Sequence, residues 1–301
     1  MQAQKIEQNN LAAVGLMSGA MLFIPLMDII AKYLSTSLPP LEITFGRFLF
    51  QLIFASIAIL VVGNRSKLLG NRPVINLLRG TLLALASLFF FTAVKYMSVA
   101  TAISIFFVEP MILTVLAVVF LKEKIGARRI GAILVGFMGA LIILRPSFAE
   151  VGLVSLMPLV TATLFSGYLL LSRMYASSDG LLPIQFSAGL AGTVILGTAL
   201  MVTTSLGLEG AEFLLPDPWQ LGLLCMIGAI SYVGHGLVVL AFQRGEAGLL
   251  APLQYLEIVS ATLFGYLVFS DFPDGLTWFG IGLIIASGLY IAHRERKQSD
   301  A

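Results

Sequence analysis

The chain has 301 residues, 58% of them hydrophobic and only 11% charged, with a mean hydropathy of +0.97. A soluble domain carries roughly 25% charged residues, so this composition excludes a water-soluble globule. Ten spans of about 20 residues each leave room only for short connections and two small tails. The single cysteine, Cys225, excludes an intramolecular disulfide and a cysteine-based metal cluster, and the net charge of +2 is uninformative until the cations are assigned to sides.

In chain order, a polar tail over 1–10 precedes apolar runs at 11–34, 41–63, 74–95, 99–121 and 129–145. A second set follows at 152–174, 182–205, 219–242, 248–270 and 276–293, and 294–301 is a polar tail. Turn chemistry separates the runs at Ser35 to Pro40, Gly63 to Pro73, Lys122 to Gly126, Arg145 to Ser147, Ser177 to Gly180, Glu209 to Pro218 and Asp271 to Gly275. The first run is longer than a signal-peptide core and passes through Pro25, Asp28 and Lys32 without a small-residue cleavage site, so it reads as a retained helix.

Cytoplasmic connections hold the excess of Lys and Arg. Lys5, Arg65, Lys67, Arg72, Arg79, Lys122, Lys124, Arg128, Arg129, Arg173, Arg244, Arg294, Arg296 and Lys297 fall at one side, 14 of the 18 cations. Lys32, Lys95 and Arg145 fall toward the other, and Arg47 lies inside the second span. The other side carries Glu209, Glu212, Asp217, Asp271 and Asp274. Both termini are therefore expected in the cytoplasm, and a bacterial inner membrane suits such short loops.

At an offset of 148, Ala93 aligns with Ala241, Glu109 with Glu257 and Leu121 with Phe269; at 149, Gly131 aligns with Gly280 and Gly139 with Gly288. Five spans thus resemble five spans, and an odd number inverts the second copy. The expected fold is an all-α membrane protein of ten transmembrane helices in two inverted five-helix repeats, 11–145 and 152–293. Such halves can open a midplane site alternately to each side.

Ionisable groups inside a span cost about 2.5–3.5 kcal/mol on insertion scales. Glu109 and Glu257 are repeat mates at mid-depth. They read as a carboxylate pair that contacts a cationic or donor-rich solute or takes up a proton, or else as hydrogen-bonded struts. Pro25, Pro110, Pro158 and Pro252 fall in spans one, four, six and nine and should interrupt them, and interrupted helices mark binding sites in transporters. Asp28 and Lys32, four apart, are expected to neutralise each other near the outer end, the alternative being that Asp28 faces the cavity. Glu42 and Arg47 could belong to the same outer network. His235 reads as a packing residue or a proton relay with Glu257.

The aromatics Phe89, Phe90, Phe91, Phe106, Phe107, Tyr168, Tyr232 and Tyr255 lie where a flat solute could use them, although each phenylalanine alone is more often packing or lipid contact. The tyrosines and Gln254 are the stronger candidates, since a buried hydroxyl or amide needs a partner. Ala132, Gly136 and Ala140, and Gly282 with Ala286, have small-xxx-small spacing. They are expected to seat these spans against their own bundle, the alternative being to join two copies as a homodimer.

There is no GxxxxGK[ST], HExxH, GxSxG or CxxC, which argues against an ATP-driven pump and the commoner membrane hydrolases. No cofactor, metal site or nucleic-acid partner is expected. Asn64-Arg65-Ser66 is a chance glycosylation match on the cytoplasmic side.

The stretch Phe91-Thr92-Ala93-Val94-Lys95-Tyr96-Met97-Ser98-Val99-Ala100, Glu109-Pro110, and Phe120-Leu121-Lys122-Glu123-Lys124 before a glycine-rich span resemble the drug/metabolite transporter superfamily of EamA type. So do Ala241-Phe242-Gln243-Arg244-Gly245 and Phe269-Ser270-Asp271, where Asp stands for the usual Glu. The resemblance runs from Leu11 to Ile291. It implies a secondary transporter of a small organic solute rather than an enzyme, with spans one, three, four, six, eight and nine lining the cavity and five and ten peripheral. Pro25-Leu26-Met27-Asp28-Ile29-Ile30-Ala31-Lys32-Tyr33-Leu34 is similar to members that import riboflavin or S-adenosylmethionine. Export of amino acids or related metabolites is the alternative within the family, and a membrane-embedded enzyme or a sensor the alternative outside it.

Overall fold

The computed structural model describes residues 10–62, 68–122, 126–175, 179–245 and 247–299. Lys5, Arg65, Lys67, Lys124 and the Asn64-Arg65-Ser66 match lie outside the described residues, as do most of the expected N-terminal tail and the last two residues of the C-terminal one. The described chain is all-α and multi-pass. Eight segments are long and apolar enough to cross a membrane, and Ile130–Arg145 and Gly275–Ile291 are shorter apolar stretches.

The helices are α1 (Asn10–Phe23), α2 (Pro25–Leu34), α3 (Pro40–Val62), α4 (Pro73–Tyr96), α5 (Val99–Phe106), α6 (Glu109–Leu121) and α7 (Ala127–Val151). There follow α8 (Met157–Met174), α9 (Leu181–Ser205), α10 (Pro218–Arg244), α11 (Ala247–Leu250), α12 (Leu256–Phe269) and α13 (Gly275–Ser299), with 3-10 turns at Gly152–Leu156 and Ala251–Tyr255. Proline opens α2, α3, α4 and α10, and at the loop-preceded starts of α3, α4 and α10 its missing N–H is no loss. The helix α13 continues through most of the residues expected as a tail.

Four spans are not single helices. α1 stops at Phe23 and α2 starts at Pro25; α5 stops at Phe106 and α6 resumes at Glu109-Pro110. Short 3-10 turns precede α8, with Pro158 in its first turn, and α12, with Pro252 inside the turn. A proline leaves the carbonyl four residues earlier without its helical donor, and lipid supplies none. For Pro25 that carbonyl is Met21 O, and the Ser260 hydroxyl donates to it from α12 at 2.8 Å. At the Pro110 break, Ser166 of α8 donates to Glu109 O, the carbonyl bonded to the Pro110 nitrogen, at 3.1 Å. The breaks are therefore stitched to neighbouring helices.

One expected turn is absent. Arg145 to Ser147 lies inside α7, which ends only at Gly152, whose φ of 63° is a conformation that disfavours any side chain. Ser147 keeps its hydroxyl on Ile143 O at 3.2 Å, so it serves the helix instead of ending it.

The helices pack in pairs: α7 on α13, α3 on α9, α4 on α8 and α9, α10 on α1 and α3. The small residues act unequally. Gly136 abuts Met111 and Ser287, and Ala140 is buried, as expected for seating α7. On α13, however, the contact face is Gly280, Ile284 and Ser287, while Gly282 and Ala286 face outward. Spacing alone identified the small residues but not the side of the helix that turns inward.

A Cβ at Gly280 would meet Ile143 and the Gly139 carbonyl inside normal contact, whereas one at Gly282 would meet open space. Gly280→Leu should therefore destabilise the protein by about 1–3 kcal/mol, and Gly282→Leu should leave thermal unfolding in detergent unchanged; equal effects would contradict this face. At the start of α13, Asp274 accepts from Thr277 N at 2.8 Å, and the Thr277 hydroxyl and amide hold its carboxyl below the usual carboxylate range. A depressed folded value stabilises at pH above the unfolded one and is lost as pH falls through the folded one. Asp274→Ala should cost about 1 kcal/mol at neutral pH, a difference that closes in acid.

Candidate functional site

A cavity of about 250 Å³ lies where the interrupted helices meet. Its lining comes from α1, α2, α3, α4, α5, α6, α8, α10, the turn before α12, and α12, and none comes from α7, α9 or α13. The expected peripheral position of spans five and ten agrees with this arrangement, while span two, not expected to line the cavity, contributes Arg47.

Three acids line it: Asp28, Glu109 and Glu257. Each sits in the first turn of a helix that resumes after a break, α2, α6 and α12 respectively. Helix N-termini present unpaired N–H groups and the positive end of the dipole, worth about 0.3–1 kcal/mol to a nearby anion. Interrupting a span thus creates, at depth, the electrostatic setting in which a carboxylate is least costly.

Asp28 and Lys32 do not pair. Lys32 Nζ bonds Asp271 at 2.5 Å and donates to Met97 O at 3.1 Å, lying 4.9 Å from the centre of the Phe269 ring. The i to i+4 spacing permitted the local pair, but Asp28 turns inward, 4% exposed, while Lys32 extends toward the helix end, where α4 and α12 terminate. Glu42 and Arg47 do not share the expected outer network either: the Glu42 carboxylate accepts from Leu214 N at 3.0 Å, fastening the loop before α10, while Arg47 lines the cavity.

Arg47 is 3% exposed. Its Nε donates to Ser231 Oγ at 3.1 Å and its Nη1 to Ser87 Oγ. Ser231 in turn donates to Gln51 at 3.0 Å, Gln51 to Gln185 at 3.1 Å, and Gln185 to Tyr232 O at 2.7 Å. This buried chain across α3, α9 and α10 fixes the guanidinium plane.

His235 and Gln254 line the cavity, and His235 Nδ1 lies 2.9 Å from Ser231 O. The tyrosines do not. Phe90, Phe91, Phe106, Phe107 and Phe165 form the wall, while Tyr168 stacks behind Phe165 at 5.4 Å and Tyr255 behind Phe107 at 5.0 Å between centroids. Tyr232 instead faces Phe54, 6.4 Å away. Phe106 joins the wall, meeting Phe90, Phe107 and Phe165 at 6.2, 5.9 and 5.5 Å. Phe165, Thr161 and Ser87 carry no signal in the sequence, and Arg47, a full charge inside a span, reads there as part of the outer network instead of the cavity.

Residues 11–145 match the EamA-like transporter family. Over 270 residues, 90% of this chain and 89% of the relative, the sequence is 28% identical to an S-adenosylmethionine uptake transporter of Rickettsia bellii. It is 25% identical to a riboflavin transporter of Brucella anthropi, covering 86% and 90% of the two chains, and 26% identical to the pseudopaline exporter CntI of Pseudomonas aeruginosa, covering 90% and 92%. A protein of known crystal structure shares the fold with a TM-score of 0.65 at 19% identity over 93% of this chain and 96% of that one. The EamA-type match and these named relatives indicate a transporter, not an enzyme.

The pairing at the cavity end is testable by double-mutant cycle. Lys32→Ala with Asp271→Asn should show a coupling of about 0.5–1 kcal/mol, and Lys32→Ala with Asp28→Asn should be additive. The reverse result would restore the local pair.

Proposed function

We propose that the chain is a secondary transporter that carries a small organic metabolite across a bacterial inner membrane by alternating access, the best fit being uptake of an S-adenosylmethionine-like solute. The observation that carries this reading is the central cavity, with three acids at the starts of resumed helices facing an aromatic wall. A sulfonium or ammonium compound with a flat ring matches carboxylates and phenylalanines together. Riboflavin has the ring but no cationic centre to set against the acids. The roles of Glu109, Glu257, Asp28, Gln254 and His235 in binding or proton coupling belong to this proposal.

Two inverted repeats of five spans, 11–145 and 152–293, follow from the same reading, and the packing supports them. Exchange α1 and α2 with α8, α3 with α9, α4 with α10, α5 and α6 with α12, and α7 with α13. The contact of α4 with α8 then becomes that of α10 with α1 and α2; that of α4 with α9 becomes that of α10 with α3; and that of α5 and α6 with α8 becomes that of α12 with α1 and α2. Lys122 and Ser270, 148 apart, are the two non-glycine residues of positive φ among those described, at 56° and 59°. Met97 and Gly245, also 148 apart, end α4 and α10 in the same extended conformation.

Of the described cations, Arg72, Arg79, Lys122, Arg128, Arg173 and Arg244 mark one end of the bundle, which supports cytoplasmic termini. At the opposite end Lys32 holds Asp271 and the Met97 carbonyl together, linking the two units. Opening the cavity to that side requires this linkage to break, while the lining continues toward the cationic end through Leu83, Leu169 and Phe242.

In proteoliposomes the protein should take up labelled S-adenosylmethionine saturably, and Glu257→Gln and Glu109→Gln should each slow it by at least about tenfold. That corresponds to the loss of a charged hydrogen bond worth about 1.5–3 kcal/mol. Glu212→Gln, on the loop before α10, should not. Wild-type rates in both cavity variants would end the carboxylates' role. The relative named as an exporter favours efflux as the second reading, which predicts accumulation only in inverted vesicles.

A further inference from the structure

Asp28 on α2 and Arg47 on α3 line the same cavity and lie close enough to interact electrostatically. Yet no carboxylate oxygen of Asp28 comes within 4.0 Å of a guanidinium nitrogen. Opposite charges that share a buried site ordinarily close on one another, because each alone pays a desolvation cost of several kcal/mol. Here both are held apart by their surroundings.

Arg47 is held by neutral groups. Ser87 and Ser231 accept two of its five N–H donors, and the protons of those hydroxyls are already committed to Leu83 O and Gln51, so neither serine supplies negative charge. The Phe48 and Phe91 rings lie 4.9 and 5.8 Å from the guanidinium carbon. Asp28 is fixed in the first turn of α2, which starts at the Pro25 break. A separated cation and anion facing one cavity match a ligand that carries its own anionic and cationic groups on a single carbon.

Building on the transporter reading, we propose that the solute is an α-amino acid bearing a flat ring, with Arg47 as the specificity residue for its carboxylate and Asp28 for its ammonium group. A planar guanidinium binds a carboxylate through two parallel hydrogen bonds, a geometry that lysine does not reproduce. The ammonium then pairs with Asp28, and the ring lies against Phe90, Phe106, Phe107 and Phe165. Among the solutes named for the relatives, S-adenosylmethionine has this head group and riboflavin lacks it.

The test compares matched pairs on the purified full chain by ligand-induced thermal stabilisation, converted to affinity. The pairs are S-adenosylmethionine with its decarboxylated form and L-tryptophan with tryptamine, alongside riboflavin and 5′-methylthioadenosine, which lack the amino-acid head. The wild type should bind the carboxylate-bearing member of at least one pair about 10–100-fold more tightly, the fold-change of a charge-assisted hydrogen bond. Arg47→Gln should abolish that preference while still binding the decarboxylated member, and Arg47→Lys should restore only part of it. Equal wild-type affinity for both members of each pair overturns the proposal without needing a folded variant, as does a preference unchanged in Arg47→Gln. Uptake of riboflavin or methylthioadenosine with indifference to the amino-acid head would leave the transporter reading standing and this proposal fallen. A failure to move any probe in proteoliposomes would remove the reading on which it rests.

Discussion

A carbonyl without a donor has no place in hydrocarbon, and the centre of this molecule is organised around that constraint. Prolines deny the backbone its regular hydrogen bond in the middle of the membrane, which is tolerable only where another helix supplies a donor. Ser260 does so for Met21 O, and Ser166 reaches the carbonyl of Glu109 beside the Pro110 break. Each stitch forces two helices together at the same depth. Each break also creates a new helix N-terminus there, and those termini carry Asp28, Glu109 and Glu257. Cavity, acids and helix packing are consequences of one backbone requirement.

The charges that are not in the cavity do a different job. Arg79 is buried at the cationic end, where it donates to Leu171 O and Tyr175 O and so closes the C-terminus of α8. Asp179 accepts from Asn71 and Asn76 across the loops at that end, and Glu42 holds the opposite loop through Leu214 N. These contacts brace helix ends where water begins. Arg47 differs because it lines the cavity, where two neutral hydroxyls position its charge without cancelling it.

Much of this was legible in the sequence because lipid penalises polarity so heavily. The apolar runs gave the spans, and a charge or proline inside one gave a position to explain; Asp28, Glu109, His235, Gln254 and Glu257 all line the cavity. The errors share a cause. Pairing Asp28 with Lys32 relied on helical spacing, which registers neighbours on one helix but not Asp271, 239 residues away. Preferring tyrosine to phenylalanine assumed that a hydroxyl marks the site, whereas Tyr168 and Tyr255 support the rings of Phe165 and Phe107 from behind. Arg145 to Ser147 looked like a turn from composition, and α7 absorbs it.

Composition by itself determined that this chain lives in a membrane, and its few interior charges and prolines determined the depth at which to look, because every such residue there must be accommodated. Tertiary structure alone decided which charges meet. It turned Asp28 inward and Lys32 to the end of the bundle, set Gly280 against Gly139 while Gly282 faced out, and placed Arg47 between Ser87 and Ser231. The physical reason is that spacing along a helix fixes the direction of a side chain relative to its neighbours in sequence. Which direction faces the interior depends on helices contributed by the other half of the chain.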